Sequence, residues 1–444
     1  MGLLGVALLN ALFLALGYAL LAALGARPRW WDAGVALLLG AGVAGTGVFL
    51  AVILGARANL LALGVVSILV LAAAAAIRRL RLPPHPAPRR ADAPSLVGGS
   101  ALGAVGALAL VGGFRSAPWL SDAWGIWLPK GVALLHRGLD ERLFAPSTVY
   151  VPFEVLDYPL WWSVLAGLDV RAVGEVDVRA LNAQLGLLAV GHLAALARLL
   201  WDAARPWLVT AGVALVALSP EFFRQAQGGP ADLPLACFVS LAALAGALWI
   251  LDGLPLHLGL AAVFAAVAVQ VKTEGLAEIA ILLAVGLVVA RRRVPLAVAG
   301  GAALATGLPW LLWQRAHDVP ARTPLGDAFD PGYLAGRADR VPDSVLEVLE
   351  RLVDPTDWLV VVPLFVALSV ALAWCGNLGW LAPLAASLLT AAFLVWAYWA
   401  NRDELGFLLA TSAYRVVDPL VLTAAAFVPL LGERLLRAAR LRVT

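Results

Sequence analysis

Long apolar runs recur along the chain, and short polar segments separate them. A helix needs about 20 apolar residues to cross the hydrocarbon core. Runs near that length predict helices at 3–24, 33–55, 60–77, 96–113, 179–201, 207–219, 231–251, 258–271, 276–290, 295–314, 358–374, 378–399 and 416–431. The expected fold class is therefore an all-α polytopic membrane protein with about 13 transmembrane helices. The runs at 207–219 and 258–271 are short and need shielding by neighbours. The first run lacks a basic leader and exceeds the roughly 7–15 apolar residues of a signal peptide, so it is read as a retained span.

Two polar segments, 114–178 and 315–357, are too long to be simple connections. The first carries Trp119, Trp124, Trp127, Trp161 and Trp162. Tryptophan favours the membrane–water boundary, so this segment is expected to lie on the bilayer as interfacial helices. A proline-rich stretch at 83–94 divides the chain. It gives an N-terminal three-span module with its linker (1–95), a transmembrane core (96–431) and a basic tail (432–444).

Composition narrows the class. Hydrophobic residues are 62% and charged residues 14%, against about 25% charged in soluble domains. A soluble enzyme, a disordered chain and a nucleic-acid binder are all excluded on this ground. The formal charge of +3 does not call for a polyanionic partner. The two cysteines and five histidines show no ligand spacing, so neither a disulfide framework nor a metal cluster is expected. No cofactor is evident, although a divalent ion bridged by Asp122 stays open.

Arginine placement sets the expected orientation. Arg78, Arg79, Arg81, Arg89 and Arg90 follow the third run, Arg291, Arg292 and Arg293 the ninth, and Arg434, Arg437, Arg440 and Arg442 the last. All three groups fall on one side if the runs alternate. That side is read as cytoplasmic in a plasma (inner) membrane, with the N-terminus outside. The outward segments hold most of the acids, so polar chemistry is expected there. Of 32 basic residues only Lys130 and Lys272 are lysines, and both fall outward.

Candidate chemistry starts at Ser121-Asp122-Ala123-Trp124-Gly125-Ile126-Trp127-Leu128-Pro129-Lys130. Asp122 either caps a helix or presents a carboxylate at headgroup level, suited to taking a proton from an acceptor hydroxyl. Lys130, two turns on, suits a phosphate. In Asp157-Tyr158-Pro159-Leu160, Pro159 fits the first turn of a helix and Asp157 precedes it. Asp232 opens a span after Gly229-Pro230-Ala231, and Lys272-Thr273-Glu274-Gly275 lies where two spans meet. Ionisable groups at such depth either pair with each other or face a polar cavity. Lys272 therefore pairs with Glu274 or Asp232, or serves a site. Arg415, after Tyr414, suits phosphate or pairs with Asp418. Arg224 is a weaker phosphate candidate, and His192 is read as a packed core residue.

Asp-x-Trp-x-x-Trp-x-x-Lys in the first outward loop, followed by Asp-Tyr-Pro-Leu, resembles the polytopic GT-C glycosyltransferases. The likeness is to uncharacterised bacterial members related to lipid A aminoarabinose transferases and protein O-mannosyltransferases, and it covers about residues 96–431. The resemblance implies transfer of a sugar, with inversion, from a polyprenyl-phosphate donor to an envelope glycan, lipid or protein acceptor at the outer face. It implies Asp122 as the base, where many relatives carry two adjacent acids and this chain has Ser121-Asp122. It also implies donor or acceptor binding by Lys130, Asp157, Tyr158, Asp232, Lys272, Glu274 and Arg415. Membrane lipids are the other expected partner. A transporter or flippase of a lipid-linked sugar is the main alternative, and a non-catalytic assembly subunit is the second.

Overall fold

The structure, a computed structural model, describes residues 2–80, 117–140, 155–321 and 325–441, with isolated positions between them. These residues form helices and no strand. The chain is a membrane-embedded helical protein. Among the described residues eight helices are long and apolar enough to cross a bilayer, or up to ten if two bent pairs each count as one span.

The helices, in order, are α1 (Gly2–Ala23), α2 (Ala33–Ile53), α3 (Leu60–Arg78), α4 (Leu128–His136, entered through a wide turn at Ala123–Trp127), α5 (Trp161–Val173) and α6 (Val178–Leu200). Next come α7 (Pro206–Ala217), α8 (Pro220–Gly228), α9 (Asp232–Asp252), α10 (Pro255–Val271), α11 (Thr273–Val289), α12 (Arg293–Ala305) and α13 (Leu308–Ala316). The last are α14 (Arg340–Val353), α15 (Val361–Trp374), α16 (Ala382–Ala400), α17 (Leu405–Val416) and α18 (Asp418–Leu441).

The number of long spans is below thirteen for identifiable reasons. The run at 96–113 lies outside the described residues. Helices α10 and α11 have 17 residues each, about 25 Å of rise against a core of roughly 30 Å. Helices α7 and α8 meet at a 57° bend, and α14 with its following turn meets α15 at 110°. Pro220 opens α8 where its missing N–H is harmless.

Residues 2–80 do not stand apart from the rest. Helices α1 and α2 touch backbone to backbone: a Cβ on Gly17 would lie 1.8 Å from the Ala36 carbonyl, and one on Gly40 equally close to that of Phe13. Small residues allow such approach where lipid offers no hydrophobic drive. Helix α2 then packs against α5, α6 and α10, and Trp161 donates its indole N–H to the Gly42 carbonyl at 3.2 Å.

In the tryptophan-rich segment, most of the indoles pack against protein and do not face outward. Trp127, Trp161 and Trp162 are buried, and only Trp119 and Trp124 are exposed. Helix α5 lies inside the bundle against α4, α1 and α2. The Trp162 indole N–H finds the Gly229 carbonyl at 3.3 Å. A buried indole is best held by such a partner, and for Trp161 and Trp162 a glycine carbonyl supplies it. Pro159 does not enter a helix. It lies two residues before α5, which starts at Trp161.

Loop contacts sort into two ends. At one, Ala58 N–H donates to Leu134, Leu120 N–H to Gly228, Arg224 pairs with Asp357, and the Tyr333 hydroxyl donates to Ala400. At the other, Arg198 pairs with Asp32 and Asp202, Arg205 with Glu433, and the Arg434 guanidinium lies over Trp380.

Candidate functional site

Four segments distant in sequence bring charged side chains together at the first of these ends. Helix α9 starts at Asp232, whose side chain is almost wholly buried. Lys272 is the single extended residue between α10 and α11 (φ −147°, ψ 160°). The tight reversal needs Gly275, because a Cβ there would meet the Ala268 carbonyl at 2.2 Å. Arg415 lies in the last turn of α17, and Asp122 opens the wide turn before α4.

Asp232 links the two cations. Its Oδ1 accepts from Lys272 Nζ at 2.7 Å, and its Oδ2 faces Arg415 Nη1 at 3.7 Å. Arg415 Nη1 is 2.6 Å from Asp122 Oδ2. Lys272 Nζ is also 3.3 Å from Glu274 Oε1. The result is a chain Glu274–Lys272–Asp232–Arg415–Asp122. Charges so deep persist only when paired in this way. Asp122 and Glu274 keep open faces, with side chains 20% and 21% exposed, while Asp232 has 3%.

Asp122 is not a helix cap, since its side chain makes no capping bond. Arg415 does not pair with Asp418; its carboxylates are Asp122 and Asp232. Asp418 is fully buried, and neither of its oxygens has a hydrogen-bond partner among the described residues. Glu278, one turn below Glu274, is in the same condition.

Tyr158 forms the floor. Lys272 Nζ stands 5.2 Å from the centre of its ring, a cation–π distance. The other face of the environment is Trp127, stacked at 5.5 Å and 3°. Lys130 falls behind this stack and not in the open site. It is fully buried, donates to the Val155 carbonyl, and lies 6.0 Å from the Trp127 ring. Burial pulls its ammonium down to about 7, against the opposing pull of Asp157. Asp157 contributes its carbonyl, which accepts from Trp310 at 3.1 Å and Gln314 at 2.8 Å. Both residues thus hold the Tyr158 segment in place.

The remaining candidates fall elsewhere. Arg224 is occupied by Glu221 at 2.5 Å and by Asp357. His192 is buried with its ring 6.4 Å from Phe222. Among the described residues no group of three or more His, Cys, Asp or Glu has metal-holding geometry. The carboxylates converge on Lys272 and Arg415 instead of on one another. No family model, curated protein or solved structure matches the chain.

An apolar cavity of about 310 Å³ runs from mid-bundle toward the end opposite the cluster, where Leu251, Val289 and Trp380 line it. It lies between α9, α10, α11, α12, α16 and α18 and begins at Ile279, the residue after Glu278. Along α11 this is about 7 Å from Glu274 at 1.5 Å per residue.

Sequence reasoning gave Asp418 only as a partner for Arg415 and left out Tyr398. Tyr398 is buried, and its hydroxyl shares a hydrogen bond with Ser412 at 2.9 Å. The signal for Asp418 was its place at the start of an apolar run. Tyr398 carried none, because one tyrosine in an apolar helix resembles any core aromatic.

Proposed function

We propose that the chain is a membrane-embedded glycosyltransferase of GT-C type, which moves a sugar with inversion from a polyprenyl-phosphate donor to an envelope glycan, lipid or protein acceptor. The observation that carries this reading is the Arg415 guanidinium lying against both Asp122 and Asp232, with Lys272 on the far side of Asp232. Two cations suited to phosphate thus stand beside a partly exposed carboxylate suited to a proton. The apolar cavity starting at Ile279 supports a donor with a long hydrocarbon tail. With the cluster's end facing outward, as the arginine distribution implies, transfer occurs at the outer face of the plasma membrane.

The donor phosphate competes for Arg415 and Lys272. Its arrival draws Arg415 away from Asp122 and leaves the Oδ2 lone pair free. The acceptor oxygen then attacks the anomeric carbon as the carbon–oxygen bond to phosphate breaks. The phosphate leaves with the electron pair and is stabilised by Lys272 and Arg415. The acceptor proton passes to Asp122. Little covalent work falls to the protein, and most of the rate comes from holding the two reactants in line.

Donor consumption in detergent, where no second compartment exists, tests the reading against a transporter. Wild-type protein should consume a polyprenyl-phosphate sugar in the presence of an envelope extract, and Lys272→Ala should lose most of this activity. Consumption unchanged in Lys272→Ala, in protein that elutes normally, would reject the assignment.

A further inference from the structure

The end of the bundle opposite the charged cluster carries a cavity of about 460 Å³ that the proposed transfer does not use. Its polar rim holds Arg27, Arg198, Arg434 and Arg437 with Asp32, Asp202, Asp252 and His257. Most of these charges are spoken for. Arg198 binds Asp32 at 2.5 Å and Asp202 at 3.1 Å. His257 Nδ1 is 2.7 Å from Asp252, and Arg437 is 2.8 Å from Glu433.

Two arginines are left over. Among the described residues neither Arg27 nor Arg434 has a carboxylate partner. Arg434 lies with its guanidinium 5.4 Å from the Trp380 ring centre, and its Nε is buried with no hydrogen-bond partner among the described residues. A buried donor left unmade is expensive. The cavity's other wall is apolar, formed by Leu21, Leu199, Leu248 and Leu260. Two unmatched guanidinium groups beside an apolar wall fit an anion that carries hydrocarbon.

We propose that this cavity binds a phosphate group between Arg27 and Arg434, with an anionic phospholipid as the ligand whose acyl chains cover the leucine wall. Guanidinium pairs phosphate through parallel N–H bonds, and basic pockets between membrane helices hold anionic headgroups. The site is separate from the proposed transfer site and does not depend on that reading.

Native mass spectrometry of the full chain in detergent tests it, with phosphatidylglycerol and phosphatidylcholine of equal chain length as probes. Wild-type protein should retain phosphatidylglycerol in preference. Arg27→Gln and Arg434→Gln should each weaken that retention roughly 5-fold, from about 1 kcal/mol per basic residue, while Arg27→Lys keeps most of it. Arg27 is exposed, so its variant folds even if Arg434→Gln does not. Inorganic phosphate at millimolar concentration is the second probe. If it raises the unfolding temperature of wild type but not of Arg27→Gln, and neither lipid is preferred, a free phosphate is the ligand and the lipid assignment is wrong. Equal retention of both lipids with no response to phosphate would overturn the site.

Discussion

Replacing Asp232 by asparagine removes the one charge that touches both cations of the cluster. The side chain keeps its volume and one acceptor oxygen. Lys272 loses its 2.7 Å carboxylate and keeps Glu274 at 3.3 Å, while Arg415 loses a 3.7 Å neighbour and keeps Asp122 at 2.6 Å. Breaking a buried ion pair costs about 3–5 kcal/mol. Because each cation keeps a partner, Asp232→Asn should fall at the low end, about 3 kcal/mol. At roughly 2.1 cal/mol/K of unfolding entropy per residue over the chain, that is a drop of about 3 °C in the unfolding midpoint. The assay is thermal unfolding in detergent followed by tryptophan fluorescence. The double variant Asp232→Asn with Lys272→Met should recover part of the loss, because it also removes the stranded ammonium. A coupling of about 2 kcal/mol is expected from this cycle. An Asp232→Asn midpoint within 1 °C of wild type (about 1 kcal/mol on the same scale), with strictly additive single variants, would refute the buried chain of charges.

Three other outcomes follow from named contacts. Burial holds Lys130 near 7 when folded against 10.5 when unfolded, so between these values the unfolded chain binds more protons and stability rises with pH; unfolding midpoints across that range should climb in wild type and lose that part of the climb in Lys130→Met. Gly275→Ala places a Cβ 2.2 Å from the Ala268 carbonyl and should destabilise by about 1–3 kcal/mol, with donor consumption lost as Lys272 shifts; normal stability and turnover would show a wider α10–α11 reversal. Trp161→Phe removes the indole bond to Gly42 and should cost about 1 kcal/mol or more, while Trp119→Phe on the exposed side should cost almost nothing in the same fluorescence melt.

The helical architecture was legible because apolar length is a direct physical requirement of the bilayer. All described expected runs contain a helix, and the ones that fall short as spans are those with bends or 17-residue lengths. Loops expected on one side also meet at one end, as Asp122, Asp232, Lys272 and Arg415 do. Their convergence was readable because ionisable groups at the ends of apolar runs must find one another. The partners of Lys272 (Asp232 and Glu274) were among the pairings the sequence offered, but the partner of Arg415 was not readable. Whether Arg415 meets Asp418 or Asp122 depends on how α17 and α18 dock, and no local pattern encodes that. The burial of Lys130 and of the tryptophans was not readable for a related reason. An amphipathic side chain gives the same signal at a lipid boundary as inside a bundle where a backbone carbonyl can take its N–H. The expected boundary at 83–94 lies outside the described residues, and α1 and α2 are built into the same core as α5 and α6.

The central claim is that Asp122 takes the acceptor proton once the donor has engaged Arg415. Single-turnover transfer by Asp122→Asn, with a polyprenyl-phosphate sugar bound beforehand, tests it most directly. The account predicts donor binding within about 3-fold of wild type and transfer slower by about 10²–10⁴-fold, the contribution of a positioned base. Transfer at the wild-type rate in a correctly folded Asp122→Asn protein would contradict it.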